Sequence, residues 1–252
     1  MSPTPQVLIM NHSFVHRFLK FLAQGSERRV RLDLNLSRSA HIHYYGVGGR
    51  TVDKLSKYDL SVVGRLKPEI VILELGSNDL SPSGVRPERV GSKIESLVQL
   101  LHAQYGVKFI VVCQTINRAL CPRSTPSYND RVAPLNRYLS VVLETLPFAT
   151  FWCHKGLRKP NVPILCKDGI HLNHQGQYAL YRSYRGAILC ALRSISRSLC
   201  FKCGNRHPAT QCTFPSRQQS NPLKNVSRSA GTFTSNKSPA ASRPVSSTIN
   251  TN

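Results

Sequence analysis

Five short runs of apolar residues recur along the first two thirds of the chain, and each is followed by a polar or glycine-containing stretch. The runs are QVLIM (6–10), AHIHYY (40–45), EIVILEL (69–75), VKFIVVC (107–113) and FATFWC (148–153). Their apolar residues are largely continuous rather than alternating, which is typical of strands in a parallel sheet covered on both faces. The pattern therefore predicts five buried β-strands.

Helical periodicity fills the segments between these strands. An apparent helix follows Asn11, His12 and Ser13, and another is opened by Pro87 and ends before Gly106. The apolar stripe of the latter consists of Val90, Ile94, Leu97, Val98 and Leu101. Two further helices are predicted over 132–146 and about 176–197. Strands that alternate with helices predict an α/β fold, a three-layer sandwich around a five-stranded parallel sheet of the doubly wound kind.

Composition divides the chain into three segments. Residues 5–197 carry the pattern of strands and helices, and residues 198–214 contain a short cluster of Cys and His. Residues 215–252 consist mainly of Ser, Thr, Pro, Asn and basic residues, with few large apolar side chains. Because burial of so little apolar surface does not offset the entropy of ordering, we predict that this last segment is a disordered basic tail rich in Ser and Pro.

Positive charge is concentrated toward the end of the chain. Residues 1–168 contain 23 of the 34 basic residues and all 12 acidic ones, which is a net charge of +11. The remaining 84 residues carry another +11 and no acid. A basic segment of this density favours a polyanionic partner, most simply single-stranded RNA or DNA. A solvated basic surface without a partner is the alternative.

The lengths of the apolar runs bear on membranes and on the cellular compartment. No stretch approaches 18 apolar residues, and the four residues VLIM, with no basic region before them, are too few for a signal-peptide core. We therefore predict that no segment spans a membrane and that the protein is cytoplasmic or nuclear rather than secreted. In a reducing compartment the eight cysteines are expected to be thiols or metal ligands.

Polar residues stand where three of the predicted strands end and in the last loop. The first strand runs into Ser13, the second into GVGGRT and the third into ELGSNDLS. The loop DGIHLNHQGQ places Asp168 and His171 just before the final helix. Since ligands of doubly wound sheets bind beyond the carboxyl ends of the strands, we expect these stretches to form one site.

These residues together can support acyl transfer. His171 is a suitable base for the Ser13 hydroxyl, and Asp168 would orient the imidazole and stabilise its charged form. A tetrahedral oxyanion needs donors that are fixed around it. The backbone N–H of Gly49, the side-chain amide of Asn78 and the backbone N–H of Ser13 can provide them.

Each residue also has a structural alternative when it is taken alone. A serine between a strand and a helix is a good N-cap, the glycines of GVGGRT can mark a tight turn, and Asn78 can occupy a turn or cap a helix. What is improbable by chance is the order and position of the set, in which Ser, Gly, Asn and Asp-x-x-His each end a different predicted element. The set therefore indicates a catalytic site.

The four stretches resemble the four sequence blocks of the SGNH (GDSL-type) hydrolase family. VLIMNHS resembles the first block, GVGGRT the second, VILELGSNDLS the third and DGIHLNHQG the last. The resemblance implies the flavodoxin-like fold of that family and hydrolysis of a small ester or acyl substrate, with no cofactor at this site. It makes Ser13 the nucleophile, with Asp168 and His171 completing the triad. Gly49 and Asn78 would form the oxyanion hole.

The resemblance covers roughly residues 6–195 and departs from the family pattern in the first block. The family usually has Gly-Asp-Ser there, whereas this chain has Asn11, His12 and Ser13. Asparagine can still adopt an unusual turn conformation. His12 replaces an acid and changes the local charge beside the nucleophile.

The cluster CFKCGNRHPATQC predicts a zinc site. Its Cys-x2-Cys-x3-His-x4-Cys spacing supplies three thiolates and one imidazole, a closed tetrahedral set for Zn²⁺. The predicted ligands are Cys200, Cys203, His207 and Cys212. The cluster resembles the zinc knuckle of retroviral and retrotransposon Gag proteins, one residue shorter between Cys and His, which implies binding of single-stranded nucleic acid. The predicted nucleic-acid contacts are Phe201, Lys202, Arg206 and Phe214. A zinc site used only for folding or for a protein contact is the alternative.

Two classes of function remain open at this point. An SGNH-like domain joined to a basic knuckle resembles proteins encoded by some retrotransposons. The chain is then either a serine esterase tethered to nucleic acid or a Gag-like nucleic-acid-binding protein whose SGNH domain is a weakly active or inactive scaffold. The complete set of Ser, Asn, Asp and His favours the enzyme, whereas Asn11, His12 and the large basic surplus favour the scaffold.

Overall fold

A single parallel sheet forms the centre of the domain. The computed structural model describes residues 4–25, 30–119, 128–157 and 163–197. The strands are β1 Gln6–Asn11, β2 His41–Gly46, β3 Ile70–Glu74, β4 Phe109–Cys113 and β5 Ala149–Trp152. They are ordered β2-β1-β3-β4-β5, and every neighbouring pair is parallel. Each strand lies within one or two residues of its predicted position, so the five-stranded parallel sheet is confirmed.

Helices cover both faces of this sheet. They are α1 Ser13–Ala23, α2 Val52–Tyr58, α3 Leu60–Leu66, α4 Pro87–Ala103, α5 Tyr128–Glu144 and α6 His174–Arg197. A short 3₁₀ helix, Lys155–Leu157, follows β5. Helices α1 and α6 pack in the core on one face, and α2 to α5 pack in the core on the other. The arrangement is the three-layer sandwich that the alternation of strands and helices predicts.

The central strands explain why the apolar runs are continuous. Strands β3 and β4 are buried along their whole length, since both of their faces are covered. Successive side chains point to opposite faces. Accordingly Ile70 and Ile72 pack with α1 and α6, whereas Val71 and Leu73 pack with the helices of the other layer.

Two helices begin earlier than their apolar periodicity predicts. Helix α5 begins at Tyr128 rather than at Val132, and Tyr128 is buried with its hydroxyl donating to Ser77 Oγ at 3.0 Å. Helix α6 begins at His174, directly after Asn173, whose side chain accepts from the backbone N–H of Gly176 at 3.0 Å. Both additional turns depend on individual contacts rather than on a hydrophobic stripe.

The sheet register brings the carboxyl ends of the strands to one edge. Asn11 pairs with Gly46 of β2 on one side and with Glu74 of β3 on the other. The polar stretches that follow β1, β2 and β3 therefore emerge side by side. This edge is the part of the fold that positions the candidate site.

The remaining predictions about domains fall on other parts of the chain. The predicted zinc knuckle at 198–214 and the predicted disordered tail at 215–252 lie outside the described residues. Within the described residues, no helix is both long enough and apolar enough to cross a lipid bilayer.

Candidate active site

A chain of hydrogen bonds links a carboxylate, an imidazole and a hydroxyl at the carboxyl edge of the sheet. Ser13 Oγ lies 3.1 Å from His171 Nε2, and His171 Nδ1 lies 2.7 Å from Asp168 Oδ2. All three side chains are partly exposed, so a substrate can reach them. The structure thus brings together the three residues that the sequence predicts as a triad, in the order acid, base and nucleophile.

Ser13 is the first residue of α1, and the N-cap position belongs to His12. The helix has no side-chain cap hydrogen bond, so the serine hydroxyl is not engaged in capping. The structural alternative for Ser13 is therefore wrong. At the start of α1 the backbone N–H of Ser13 has no intrahelical acceptor, and the helix dipole favours negative charge there.

Hydrogen bonds hold the carboxylate of Asp168 in its ionised form. Burial would raise the pKa of Asp168, but the backbone N–H groups of His171 and Ile170, and then the His171 ring, outweigh burial and lower it to about 2. Both backbone N–H groups donate to Oδ1 at 2.9 Å, which leaves Oδ2 for the imidazole. The acid is therefore charged across the whole neutral range and suited to stabilising an imidazolium.

The loop that carries Asp168 and His171 is fixed to its surroundings by backbone hydrogen bonds. Cys166 N donates to His171 O at 2.7 Å, and Gly169 N donates to Cys166 O at 2.9 Å. Ala119, in the loop after β4, donates its N–H to Gly169 O at 2.8 Å. These bonds close the loop on itself and anchor it to the neighbouring loop.

Asn78 and Gly49 reach the same edge of the sheet through loops that are bonded to each other. Asn78 Nδ2 donates to Arg50 O at 2.8 Å, which fixes the amide and leaves its second N–H available. Asp79 Oδ1 accepts from Val52 N at 3.0 Å. Gly49 has φ +68, a conformation that favours glycine, and its surroundings are open. Both residues therefore lie in loops at the carboxyl edge of the sheet, and their role as oxyanion donors stays a prediction.

An ion pair that the sequence does not reveal fixes the loop after β2. Arg50 Nε donates to Asp59 Oδ2 at 2.7 Å, and the Asp59 side chain is 2% exposed. The Tyr45 hydroxyl donates to Asp59 Oδ1 at 3.0 Å. Because Arg50 also supplies the carbonyl that holds Asn78, this pair positions one of the predicted oxyanion donors.

Gly46 allows α1 to pack closely against the end of β2. A Cβ atom at Gly46 would lie 2.5 Å from His16 N and 2.9 Å from Val15 Cβ. A Cβ atom at Gly48, by contrast, would meet no other atom within 4 Å. Gly46 therefore sets the position of the helix that begins with Ser13, a role the sequence motif alone does not distinguish from a turn.

Arg118 supports the loop after β3 from the loop after β4. Its Nη2 donates to Ser77 O at 3.0 Å and to Ser81 Oγ at 2.8 Å, on either side of Asn78. Its guanidinium lies 3.9 Å from the centre of the Tyr128 ring. Sequence reasoning missed this residue because its partners are about forty positions away and no spacing rule connects them.

His12, the residue directly before Ser13, is buried. The residue is 2% exposed, and burial lowers its pKa to about 4, although the charge of Glu74 opposes the shift. His12 is therefore neutral at pH 7. The sequence block that position 12 resembles usually has an aspartate there. The neutral His12 therefore removes a negative charge from this position without adding a positive one.

Two cavities adjoin the candidate site. One of about 870 Å³ lies between the loop after β4 and residues 163–166, next to the catalytic loop but not lined by Ser13 or His171. A second of about 510 Å³ is also not lined by Ser13 or His171, but it is lined by Asn78, with Thr51 and Val85 among its other residues. The second cavity is therefore the one in contact with a predicted oxyanion donor.

The residues predicted to bind zinc and nucleic acid cannot be placed. Both sets belong to segments outside the described residues, so these assignments remain predictions. The zinc ligands are Cys200, Cys203, His207 and Cys212, and the nucleic-acid contacts are Phe201, Lys202, Arg206 and Phe214.

Comparison with known proteins agrees with this fold. The sequence profile of the GDSL-like Lipase/Acylhydrolase family matches residues 15–179. No curated protein sequence matches the chain.

Solved structures of similar fold come from several bacteria. A Bacteroides fragilis protein provisionally described as an acylhydrolase has a TM-score of 0.59 at 22% identity, over 76% of this chain and 92% of that one. A GDSL-like lipase from Bacteroides thetaiotaomicron has a TM-score of 0.59 at 17% identity, over 74% and 89%. A catalytic mutant of an acetylxylan esterase from Geobacillus stearothermophilus has a TM-score of 0.56 at 15% identity, over 75% and 95%. At these identities the similarity establishes the fold.

Proposed function

Because the chain belongs to the GDSL-like lipase/acylhydrolase family, we propose that it hydrolyses carboxylic esters with Ser13 as the nucleophile. The observation that carries this proposal is the continuous hydrogen-bond chain from Asp168 through His171 to Ser13. A serine hydroxyl becomes a useful nucleophile only when a positioned base takes its proton. This arrangement supplies such a base and the charge that stabilises it.

The reaction proceeds through an acyl-enzyme. Ser13 Oγ attacks the ester carbonyl carbon while His171 Nε2 takes the hydroxyl proton, and the negative charge moves to the carbonyl oxygen. The oxyanion accepts hydrogen bonds from the N–H groups of Ser13 and Gly49 and from the Asn78 amide. On collapse, the alcohol leaves with the proton from His171. A water molecule, deprotonated by His171, then releases the carboxylic acid and restores Ser13.

The substrate we infer is a small ester. Asn78 lines the cavity of about 510 Å³, a size within the range of small-molecule sites. Pro82 and Val85 contribute apolar surface there, Arg86 contributes a positive charge, and Lys93 is paired with Asp53 of the same lining. We propose that a short acyl group occupies this cavity while the alcohol part points toward solvent.

Active-site labelling tests the proposal directly. A fluorophosphonate should modify the full-length protein at Ser13, and the protein should hydrolyse short-chain aryl esters. Ser13→Ala should lose both properties, and the rate should fall by about 10⁴- to 10⁶-fold. Ser183→Ala is the matched control, since the half-buried Ser183 hydroxyl also lies 2.7 Å from a histidine nitrogen, that of the buried His154. Hydrolysis that persists in Ser13→Ala would overturn the proposal.

The intact triad favours an enzyme over the Gag-like scaffold. A scaffold does not require a 3.1 Å contact between the serine hydroxyl and the imidazole, or a carboxylate with a pKa of about 2 behind that imidazole. Folded protein that resists fluorophosphonate at every serine would favour the scaffold instead.

We further propose that a zinc knuckle and basic tail tether this hydrolase to single-stranded nucleic acid, as in a protein of retroelement origin. The proposal is supported by the CCHC spacing and by the eleven basic and no acidic residues after Asp168. If about five phosphates are neutralised, log K should fall with log salt at a slope of about −3 to −4.

Filter binding of single-stranded RNA to the full chain tests the tether. Cys203→Ser should weaken binding without abolishing it, because zinc supplies the folding free energy of a knuckle while the charge of the tail remains. Cys190→Ser, in α6, is the control for loss of a thiol. Affinity that is unchanged in Cys203→Ser would remove the knuckle from the proposal. Affinity that is independent of salt would remove the whole tether.

A further inference from the structure

Three potential metal ligands lie side by side beneath the catalytic edge of the sheet. Leu73 of β3 pairs with Val112 of β4, so the residues that follow them, Glu74 and Cys113, are neighbours on the opposite face. His154 follows two positions after the end of β5. The three side chains therefore come from three adjacent strands and meet in the core beneath α6.

These side chains are removed from solvent and close together. Glu74 is 3% exposed, and Cys113 and His154 are not exposed at all. One ligand atom from each, a carboxylate oxygen, the thiol sulfur and an imidazole nitrogen, all lie within 4.8 Å of one another. A buried carboxylate is costly unless a cation or several donors face it.

Hydrogen bonds hold the outer atoms of the cluster and leave its inner atoms facing each other. His154 Nδ1 lies 2.7 Å from Ser183 Oγ, which also accepts from Trp152 Nε1 at 2.9 Å. The Tyr184 hydroxyl donates to Glu74 Oε2. His154 Nε2 is buried without a hydrogen-bond partner among the described residues and lies 3.6 Å from Glu74 Oε1. That separation is too long for a hydrogen bond.

We propose that Glu74, Cys113 and His154 bind a divalent transition metal, with Zn²⁺ as the best match. Around a tetrahedral zinc with ordinary bond lengths, pairs of ligand atoms lie about 3.3 to 3.6 Å apart, close to the 3.6 Å that separates Glu74 Oε1 from His154 Nε2. Carboxylate, thiolate and imidazole are the three donor types that zinc takes in proteins. This site is distinct from the predicted knuckle and does not depend on the proposed hydrolysis.

Charge balance and ligand orientation support the assignment. One carboxylate, one thiolate and one neutral imidazole neutralise a divalent cation, so the occupied site adds no net charge to the core. The contacts from Ser183 to His154 and from Tyr184 to Glu74 are the outer hydrogen bonds that usually orient metal ligands. Without a metal, Glu74 Oε1 and His154 Nε2 lie 3.6 Å apart with no hydrogen bond between them, and Cys113 is a thiol.

Loading the site replaces a proton with the metal. The Cys113 thiol loses its proton as the sulfur–metal bond forms, and the proton passes to the buffer. Because the cluster is enclosed, the metal must enter while the chain folds. A bound metal would join the ends of β3 and β4 to the segment after β5, the region from which the loops of the candidate active site emerge.

Cobalt reconstitution of the full-length chain tests the site. Cys203→Ser and Cys212→Ser remove two predicted knuckle ligands, and this double variant is refolded with Co²⁺. We expect a stoichiometric thiolate-to-cobalt charge-transfer band and the visible spectrum of a four-coordinate ion, with a water molecule as the fourth ligand. Adding Cys113→Ser should abolish the band. Adding Cys190→Ser, which changes a half-buried thiol of α6, should leave it unchanged.

Two further variants keep the test decisive if Cys113→Ser does not fold. If Cys113→Ser fails to fold, Cys113→Val keeps the volume and apolar character of the core while removing the ligand, and it should also lose the band. His154→Gln should weaken cobalt binding at least tenfold with the thiol intact. A folded double variant without the band, or a band that survives both changes at Cys113, would overturn the proposal.

Discussion

Two sets of a carboxylate, a histidine and a serine occur in this domain, and they differ in almost everything except composition. The surface set consists of Asp168, His171 and Ser13, and the buried set, named for its acid and histidine, consists of Glu74, His154 and the half-buried Ser183. In the surface set the side chains of the acid and the histidine are 26% and 19% exposed, whereas in the buried set they are 4% and 0% exposed.

Hydrogen bonding separates the two sets as clearly as exposure does. In the surface set the acid lies 2.7 Å from the imidazole, and the opposite ring nitrogen is directed at a hydroxyl that no other donor occupies in the described contacts. In the buried set the acid lies 3.6 Å from the imidazole, and the serine already accepts from the indole of Trp152. Residue types alone therefore do not identify a catalytic triad, because access and a continuous hydrogen-bond chain are also required.

The largest expected effect contrasts the two histidines. His171→Gln should lower kcat for an aryl ester by about 10⁴-fold or more, because it removes the base from a triad that acts as a unit. His154→Gln should keep kcat within a few-fold when the rate is normalised to folded protein. The measurement is steady-state hydrolysis with circular dichroism on the same samples. Equal losses in kcat for the two variants would contradict the prediction that only the surface set takes part in hydrolysis.

The acid of the buried set, Glu74, should contribute strongly to stability. Glu74→Gln breaks a buried network and should lower the free energy of unfolding by about 3 to 5 kcal/mol. Glu69→Gln, in the ion pair with Lys108 where both side chains are partly exposed, is the matched control and should change it by less than about 1 kcal/mol. Urea unfolding at pH 7 measures both. Similar losses of unfolding free energy from the two changes would mean that the buried Glu74 contributes no more to stability than the partly exposed Glu69.

Acid should destabilise the fold through the buried His12. Burial lowers the pKa of this histidine from 6.5 to about 4, so between these values the unfolded chain binds more protons than the folded one. Stability should therefore fall as the pH drops from about 6.5 to 4, by roughly 3 kcal/mol in total. His12→Asn should flatten that part of the curve, as measured by urea unfolding at several pH values.

Asp168 predicts a different pH window from that of His12. Its pKa is lowered to about 2 from 3.8, so its contribution to stability is complete above about pH 4 and disappears only as the pH falls toward 2. Asp168→Asn should accordingly leave the slope between pH 6.5 and 4 unchanged. If Asp168→Asn flattened the dependence of stability on pH between 6.5 and 4, the loss of stability in acid would come from the surface set rather than from His12.

The smallest expected effect concerns two glycines of one motif. Gly46→Ala places a methyl group against the backbone of α1 and should cost about 1 to 3 kcal/mol of stability while displacing Ser13. Gly48→Ala meets open space and should be close to neutral. Thermal melts and fluorophosphonate labelling rates measure the two consequences. Slow labelling in both variants would show that the loop itself, rather than the position of α1, limits reactivity.

The strands were the most predictable part of the fold, for a physical reason. The segments IVILE and FIVVC are buried on both faces, and only a continuous apolar run can fill such positions. The starts of α5 and α6 were less predictable. The first depends on the contact of the Tyr128 hydroxyl with Ser77, and the second on the Asn173 side chain, and neither contact leaves a periodic signal in the sequence.

The candidate site was predictable in its members but not in their supports. Ser13, Asp168 and His171 were predictable because each ends or follows a predicted element and matches a sequence block. The contacts that hold Asn78 were not, because Arg50 and Arg118 reach it from separate loops. Such pairs form only after the sheet register has brought distant parts of the chain together.

By itself the sequence determined the class of fold, the order of its strands and helices along the chain, and the residue types at the catalytic edge. Periodicity and the order of the sequence blocks can be recognised in the sequence, because they depend on residues that are close together along the chain or on their order in it. Only the tertiary structure decided which histidine faces a free hydroxyl, that His12 rather than Ser13 occupies the N-cap, and that Glu74, Cys113 and His154 converge in the core. Each of these depends on the register of parallel strands and on burial, which fix distances and exposure between residues that no local pattern connects.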